Sequence, residues 1–149
     1  MKRIPRIWAG AAVIIAIAAL ATTIPAMRPR CTHVSGGERL EIPIADLARG
    51  ATSFFCYSDA GDQVRFILAR DDEGVVHSVL DACHQCSSFH KGYTASRGEV
   101  ICRLCGNRYP IRALEAGKAS CVPATLPNRQ HDGLVEVKVA DLKQGRQLF

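Results

Sequence analysis

The sequence predicts a mainly β protein with a minor helical part: an N-terminal transmembrane helix, then a small antiparallel β domain with two cysteine knuckle loops. Three observations predict it. An uncharged apolar stretch occupies residues 7–27, β-prone runs alternate with turn sequences from residue 51 onward, and C-x2-C occurs twice, as CHQC and CRLC.

The apolar stretch is long enough, at 1.5 Å per residue, to cross a hydrocarbon layer of about 30 Å as a helix. Lys2, Arg3 and Arg6 precede it and Arg28 and Arg30 follow it. Basic residues ahead of the span favour a cytoplasmic N-terminus, which places the remaining chain outside a bacterial inner membrane, in the periplasm. A cleaved leader is the alternative, but nothing around Pro25 and Ala26 forms a clean small-x-small site. The resulting organisation is an anchor at residues 1–28, a tether at residues 29–38 and a cysteine-rich domain at residues 39–149.

The net charge of +5 does not indicate nucleic acid. Five of the nineteen Lys and Arg flank the anchor, so fourteen remain against fourteen Asp and Glu in the exported part. That part carries no basic stripe with interleaved aromatics, so nucleic acid is excluded as a partner. Its size allows only one small core, and metals or disulfides commonly supplement burial in such a domain.

Within the domain, ATSFFCYS, the turn DAGD, QVRFILAR, the turn DDEG and VVHSVLDAC read as consecutive antiparallel hairpins, with Val64, Phe66 and Leu68 alternating toward a core. The third strand delivers Cys83 at its end. RGEVICRLC repeats the arrangement, a short strand at Val100 and Ile101 carrying Cys102 into the second knuckle. GLVEVKV is a further strand, and PIADLARG and VADLKQG are the only helical signals.

A C-x2-C turn brings two sulfurs to one side of the chain, where both can reach one ion. Cys83 and Cys86 are separated from Cys102 and Cys105 by fifteen residues, a spacing that suits a four-cysteine site. Four thiolates accept zinc, a single iron or an iron-sulfur cluster, and disfavour magnesium and calcium, which want oxygen. Two disulfides are the competing reading in an oxidising compartment, though bridges closing such small loops constrain the unfolded chain little.

Three cysteines remain. Cys121 lies in a loop able to fold back over the knuckles as an extra ligand or redox partner. Cys56, inside a predicted strand, reads as a small buried hydrophobe. Cys31 reads as a free thiol or an intermolecular bridge beside the membrane. His84 and His90, in and just after the first knuckle, are possible extra ligands. Tyr93 and Tyr109 bracket the knuckles as an apolar wall.

The run LDACHQCSSFHKGYTASRGEVICRLCGNRYPI, followed by ASCVP, resembles the FtrD-like membrane iron-sulfur protein family. That family carries D-A-C-x2-C, K-G-Y, V-x-C-x2-C-G and a later G-G-C-x-P. Ala119 and Ser120 stand where the family has paired glycines. The resemblance implies a bacterial inner-membrane protein linked to iron uptake, with an iron-sulfur cluster or iron in its cysteine domain and an iron permease or redox proteins as partners. The layout is also similar to Rieske-type domains, and the double knuckle is zinc-ribbon-like. Gln85 and Cys105 stand where a Rieske centre would need its histidines, so an all-cysteine site of lower reduction potential is implied.

The expected function is therefore electron transfer or metal handling by a membrane-anchored periplasmic iron-sulfur or metal-binding protein, an accessory protein rather than a stand-alone enzyme. Two alternatives stay open. One is a zinc-stabilised binding module. The other is a thiol-disulfide oxidoreductase, which would want a helix N-terminus and a βαβ context instead of hairpins.

Overall fold

The computed structural model describes residues 28–116 and 121–149. The expected membrane helix at residues 7–27 lies outside them, and no helix among the described residues is long and apolar enough to cross a membrane. Ten strands and one short helix follow in the order β1 (Thr32–Val34), β2 (Arg39–Pro43), β3 (Ala51–Asp59), β4 (Asp62–Arg70), β5 (Val76–Leu80), β6 (Tyr93–Ser96), β7 (Glu99–Cys102), β8 (Arg108–Pro110), β9 (Asn128–His131), β10 (Leu134–Lys138) and α1 (Val139–Gly145). They form a four-stranded sheet β1-β3-β4-β5, a three-stranded sheet β2-β10-β9, and a three-stranded sheet β6-β7-β8 that carries the second knuckle.

The hairpins arise from a repeated local device. Ala60-Gly61, Arg97-Gly98 and Asp132-Gly133 each join two antiparallel strands, and both residues of every pair have positive φ. This is the backbone of a type I′ turn, whose twist matches that of the strands it connects. The second position favours glycine, which adopts positive φ without a Cβ clash.

Strand β4 is the hub, because it is buried on both faces. Val64, Phe66 and Leu68 point into one core, shared with Leu40, Ile42, Phe55, Val135, Val137 and Leu142. Ile67 and Ala69, one residue out of phase, point into a second core with Val79, Tyr93, Val100, Tyr109, Leu114 and the cysteines. A strand's side chains alternate between faces, so one nearly unbroken apolar run serves both cores. The first core is closed by β2 and β10, whose register sets Ile42 against Val135 and Leu40 against Val137. Helix α1 follows β10 directly and buries Val139 and Leu142. Of the two helical signals, PIADLARG yields only a 3-10 turn at Ile44–Asp46.

Part of the expected tether is structured. Thr32–Val34 pairs in parallel with β3, placing His33 opposite Cys56. Cys31, expected as a free thiol or intermolecular bridge, instead forms an intrachain disulfide with Cys56, with the Cα atoms 5.6 Å apart. Cys56 is buried as expected, but as half of a cross-link rather than as a lone hydrophobe.

Candidate metal centre

The first knuckle begins three residues beyond the end of β5, at Cys83. Its turn is tightened by the Cys86 N–H, which donates to Cys83 Sγ at 3.2 Å, and by the Phe89 N–H, which donates to the Cys86 carbonyl at 3.1 Å. An amide aimed at a sulfur is the feature that makes this turn hospitable to thiolate charge. The second knuckle begins at Cys102, the last residue of β7. There the Cys102 N–H donates to the Asn107 carbonyl at 2.9 Å and the Gly106 N–H returns to the Cys102 carbonyl at 2.9 Å.

Two remote contacts bring the knuckles together. The Arg103 N–H donates to the Gly92 carbonyl at 3.0 Å, tying the second knuckle to the loop after the first. That loop is fixed by Asp81. Its Oδ1 accepts the Tyr93 N–H at 2.6 Å, while its Oδ2 takes Arg65 Nε at 2.9 Å and Arg28 Nη2 at 3.1 Å. A carboxylate with no solvent exposure is costly unless paired and hydrogen-bonded, and here two guanidinium groups and one amide meet that need. Gly92 has φ +63°, and a Cβ there would lie 2.6 Å from Asp81 Oδ1, so the approach demands glycine.

Cys121 arrives from the far side. Residues 122–126 run beside β5, with the Leu80 N–H donating to the Ala124 carbonyl at 2.8 Å and the Ala124 N–H to the Ala82 carbonyl at 2.9 Å. The hydroxyl of Tyr93 donates to the Cys121 carbonyl at 2.6 Å. Tyr93 is thus more than an apolar wall: it holds the incoming loop. Ala119 and Ser120 lie outside the described residues.

The sulfurs gather as two triads with one member in common. Cys83, Cys86 and Cys121 lie within 4.8 Å of one another, and so do Cys102, Cys105 and Cys121. Cys86 Sγ and Cys121 Sγ are 3.2 Å apart. None of these five cysteines is disulfide-linked. His84 and His90 belong to neither triad and both are exposed, so the structure does not bring these two possible ligands to the sulfurs. A third cysteine-containing group, Cys31, His33 and Cys56, has its two sulfurs engaged in the disulfide.

The electrostatics differ between the knuckles. The Cys86 thiol is pushed well up, first by its hydrogen bond with Cys121 and then by burial. At Cys105 burial acts upward, but hydrogen bonds from the Asn107 backbone and from the Cys121 and Cys102 side chains outweigh it and hold the thiol below its ordinary value. Tyr93 and Tyr109 are both raised, chiefly by burial. Tyr109 Oη is buried and makes no well-formed hydrogen bond among the described residues, although the side chain of Asn107 acts on it against the upward push of burial and the cysteine cluster.

An all-sulfur donor set of this kind is soft and excludes hard cations on chemical grounds. The residues fit an iron-sulfur centre: two sulfur triads share Cys121, and a backbone amide points at a sulfur. A single tetrahedral ion would want its four sulfurs mutually about 3.8 Å apart, given metal–sulfur bonds near 2.3 Å. The four knuckle sulfurs do not collect into one such group.

Fold and site together define a small β protein with five clustered cysteines, of which Cys83, Cys102 and Cys121 are buried and Cys105 is exposed. The chain belongs to the family described as membrane iron-sulfur containing protein FtrD-like, which matches residues 47–149. No curated protein matches it. Two solved structures are similar over 66% of the chain. One is described as the small subunit of an NADH-dependent nitrite reductase from Mycobacterium tuberculosis, with 19% identity, a TM-score of 0.40 and 94% of that chain covered. The other is the quaternary ammonium Rieske monooxygenase CntA, with 11% identity and a TM-score of 0.42; the match spans 30% of that longer chain.

Proposed function

We propose that this protein is a membrane-anchored periplasmic electron carrier of an iron-uptake system, with an iron-sulfur centre held by Cys83, Cys86, Cys102 and Cys105. The observation that carries the reading is the convergence of the two knuckles on Cys121, which belongs to both sulfur triads. An iron-sulfur centre supplies one-electron chemistry when bound. The chain's own residues position the thiolates, exclude water through Tyr93, Tyr109 and Val100, and keep one face accessible at Cys105 and Leu104.

The Cys31–Cys56 disulfide supports a location outside the cytoplasm, because reducing compartments keep such thiols apart. The basic residues flanking residues 7–27 support an anchor with the domain on the periplasmic side. An inner-membrane iron permease, or a redox protein serving it, is the partner this reading requires. Ferric and ferrous iron differ in ligand preference, so a supply of single electrons changes how firmly iron is held during transfer.

The test is to purify the full chain anaerobically from membranes, measure iron, zinc and acid-labile sulfide per chain, and record visible and paramagnetic spectra before and after dithionite. Iron with labile sulfide, bleaching on reduction and a one-electron signal are expected. Zinc alone in a colourless, redox-silent protein would overturn the reading, as would two knuckle disulfides without metal.

A further inference from the structure

We propose that Cys121 is a shared ligand whose thiolate bridges two metal positions, one completed by Cys83 and Cys86 and the other by Cys102 and Cys105. This rests on the reading that the sulfurs hold a metal centre. It goes beyond that reading in the number of positions and in the ligand between them.

Each triad is compact enough, within 4.8 Å, for three thiolates to close on one ion, and Cys121 is the only cysteine in both. One ion would gather four knuckle sulfurs into a single tetrahedron and leave Cys121 surplus. Two positions use all five.

Cys121 is also held in place by the fold. Its carbonyl is gripped by Tyr93 Oη at 2.6 Å, and three residues on Ala124 is pinned at both its N–H and its carbonyl along the end of β5. Tyr93 belongs to β6, which is paired to the strand that ends at Cys102, while β5 leads into Cys83. The residue between the triads is therefore positioned by the two elements that deliver them.

Ligand counting gives the consequence. Two metal ions sharing five thiolates, one of them bridging, have three sulfurs each, which leaves each one open position. With iron, a single inorganic sulfide common to both positions completes both. The expected composition is then two iron atoms for each labile sulfide, instead of the one-to-one ratio of a two-iron cluster held by four cysteines. Binding two divalent ions to five thiols releases five protons and leaves a net charge of −1 on the assembly.

The experiment is an anaerobic cobalt(II) titration of the reduced, metal-free full chain in detergent, alongside Cys121→Ser. In the natural protein the sulfur-to-cobalt charge-transfer band should rise to two equivalents per chain. The paramagnetic signal of the first cobalt should fall as the second binds, because a bridging thiolate couples the two spins. In Cys121→Ser the coupling should vanish and the second cobalt should bind at least tenfold more weakly. Saturation of the natural protein at one cobalt, or two cobalt ions whose spins stay independent, would overturn the bridge, and this outcome does not depend on whether the variant folds. A coupled cobalt pair in a protein that carries no iron when isolated would sustain the bridge while sinking the iron-sulfur reading.

Discussion

Asp81 Oδ1 accepts the backbone N–H of Tyr93 at 2.6 Å, and that bond fastens the end of β5 to the start of β6. The same carboxylate pairs with both Arg65 and Arg28, so one fully buried group carries the register of the knuckles and offsets part of the positive charge beneath them. Removing one partner of such a buried pair typically costs about 3–5 kcal/mol, because a desolvated charge is left behind. Asp81→Ala should lose stability on that scale in urea denaturation and lose bound metal with it. Asp81→Asn keeps an acceptor for Tyr93 and should retain more metal than Asp81→Ala at equal folded fraction.

Gly92 makes that approach possible. Alanine there meets both a left-handed backbone at φ +63° and a carboxylate oxygen 2.6 Å from its Cβ. Gly92→Ala should destabilise the domain by about 2 kcal/mol, read as a lowered urea midpoint with an unchanged slope. A midpoint equal to that of the natural protein would show that the loop after the first knuckle is not locked as described.

The two kinds of cysteine should separate cleanly. Cys102→Ser removes a buried sulfur from one triad and should lower the metal bound per folded chain. Cys56→Ser opens a disulfide across 25 residues of sequence and should cost about 3 kcal/mol of stability while leaving metal per folded chain unchanged. Metal analysis on the folded fraction of each variant distinguishes the roles.

Tyr109 offers a test of what the sulfur site lacks when metal-free. Its buried hydroxyl makes no well-formed hydrogen bond among the described residues, with only the nearby Asn107 side chain acting on it, and an unsatisfied buried hydroxyl costs about 1–3 kcal/mol. Tyr109→Phe should therefore stabilise the metal-free protein. If the hydroxyl finds an acceptor once the centre is filled, the loaded variant should lose that advantage, which paired melts with and without metal will show.

Acid should weaken the domain through Asp71. The hydrogen bond from the His77 ring at 3.0 Å, with backbone N–H groups of Val75 and Gly74, holds its carboxyl below the usual carboxylate range. A depressed folded-state value stabilises the fold above the unfolded value of about 3.9, and that contribution disappears as pH falls through the lower folded value. Asp71→Asn should flatten the stability profile below about pH 4.

Much of this was legible in the sequence. Strands β3 to β5 announce themselves because Val64, Phe66 and Leu68 alternate and because turn residues separate the runs. The double C-x2-C spacing named four of the five clustered cysteines, and the Pro-flanked loop at Cys121 pointed to the fifth. The Cys31–Cys56 disulfide was not readable: it depends on a parallel pairing of β1 with β3, and parallel pairing leaves no local turn signal. The partnership of Asp81 with Gly92 was equally hidden, since both sit inside motifs whose residues are quoted together but meet only through the third dimension. His84 and His90 stand beside the first knuckle in the sequence, but their exposed rings are not grouped with the sulfurs.

X-ray absorption at the iron edge of the anaerobically purified full chain tests the central proposition most directly. The structure predicts a first shell made entirely of sulfur, with less iron per folded chain in Cys102→Ser. A shell containing imidazole nitrogen, or an iron-free protein whose knuckle cysteines are paired within each C-x2-C, would contradict it.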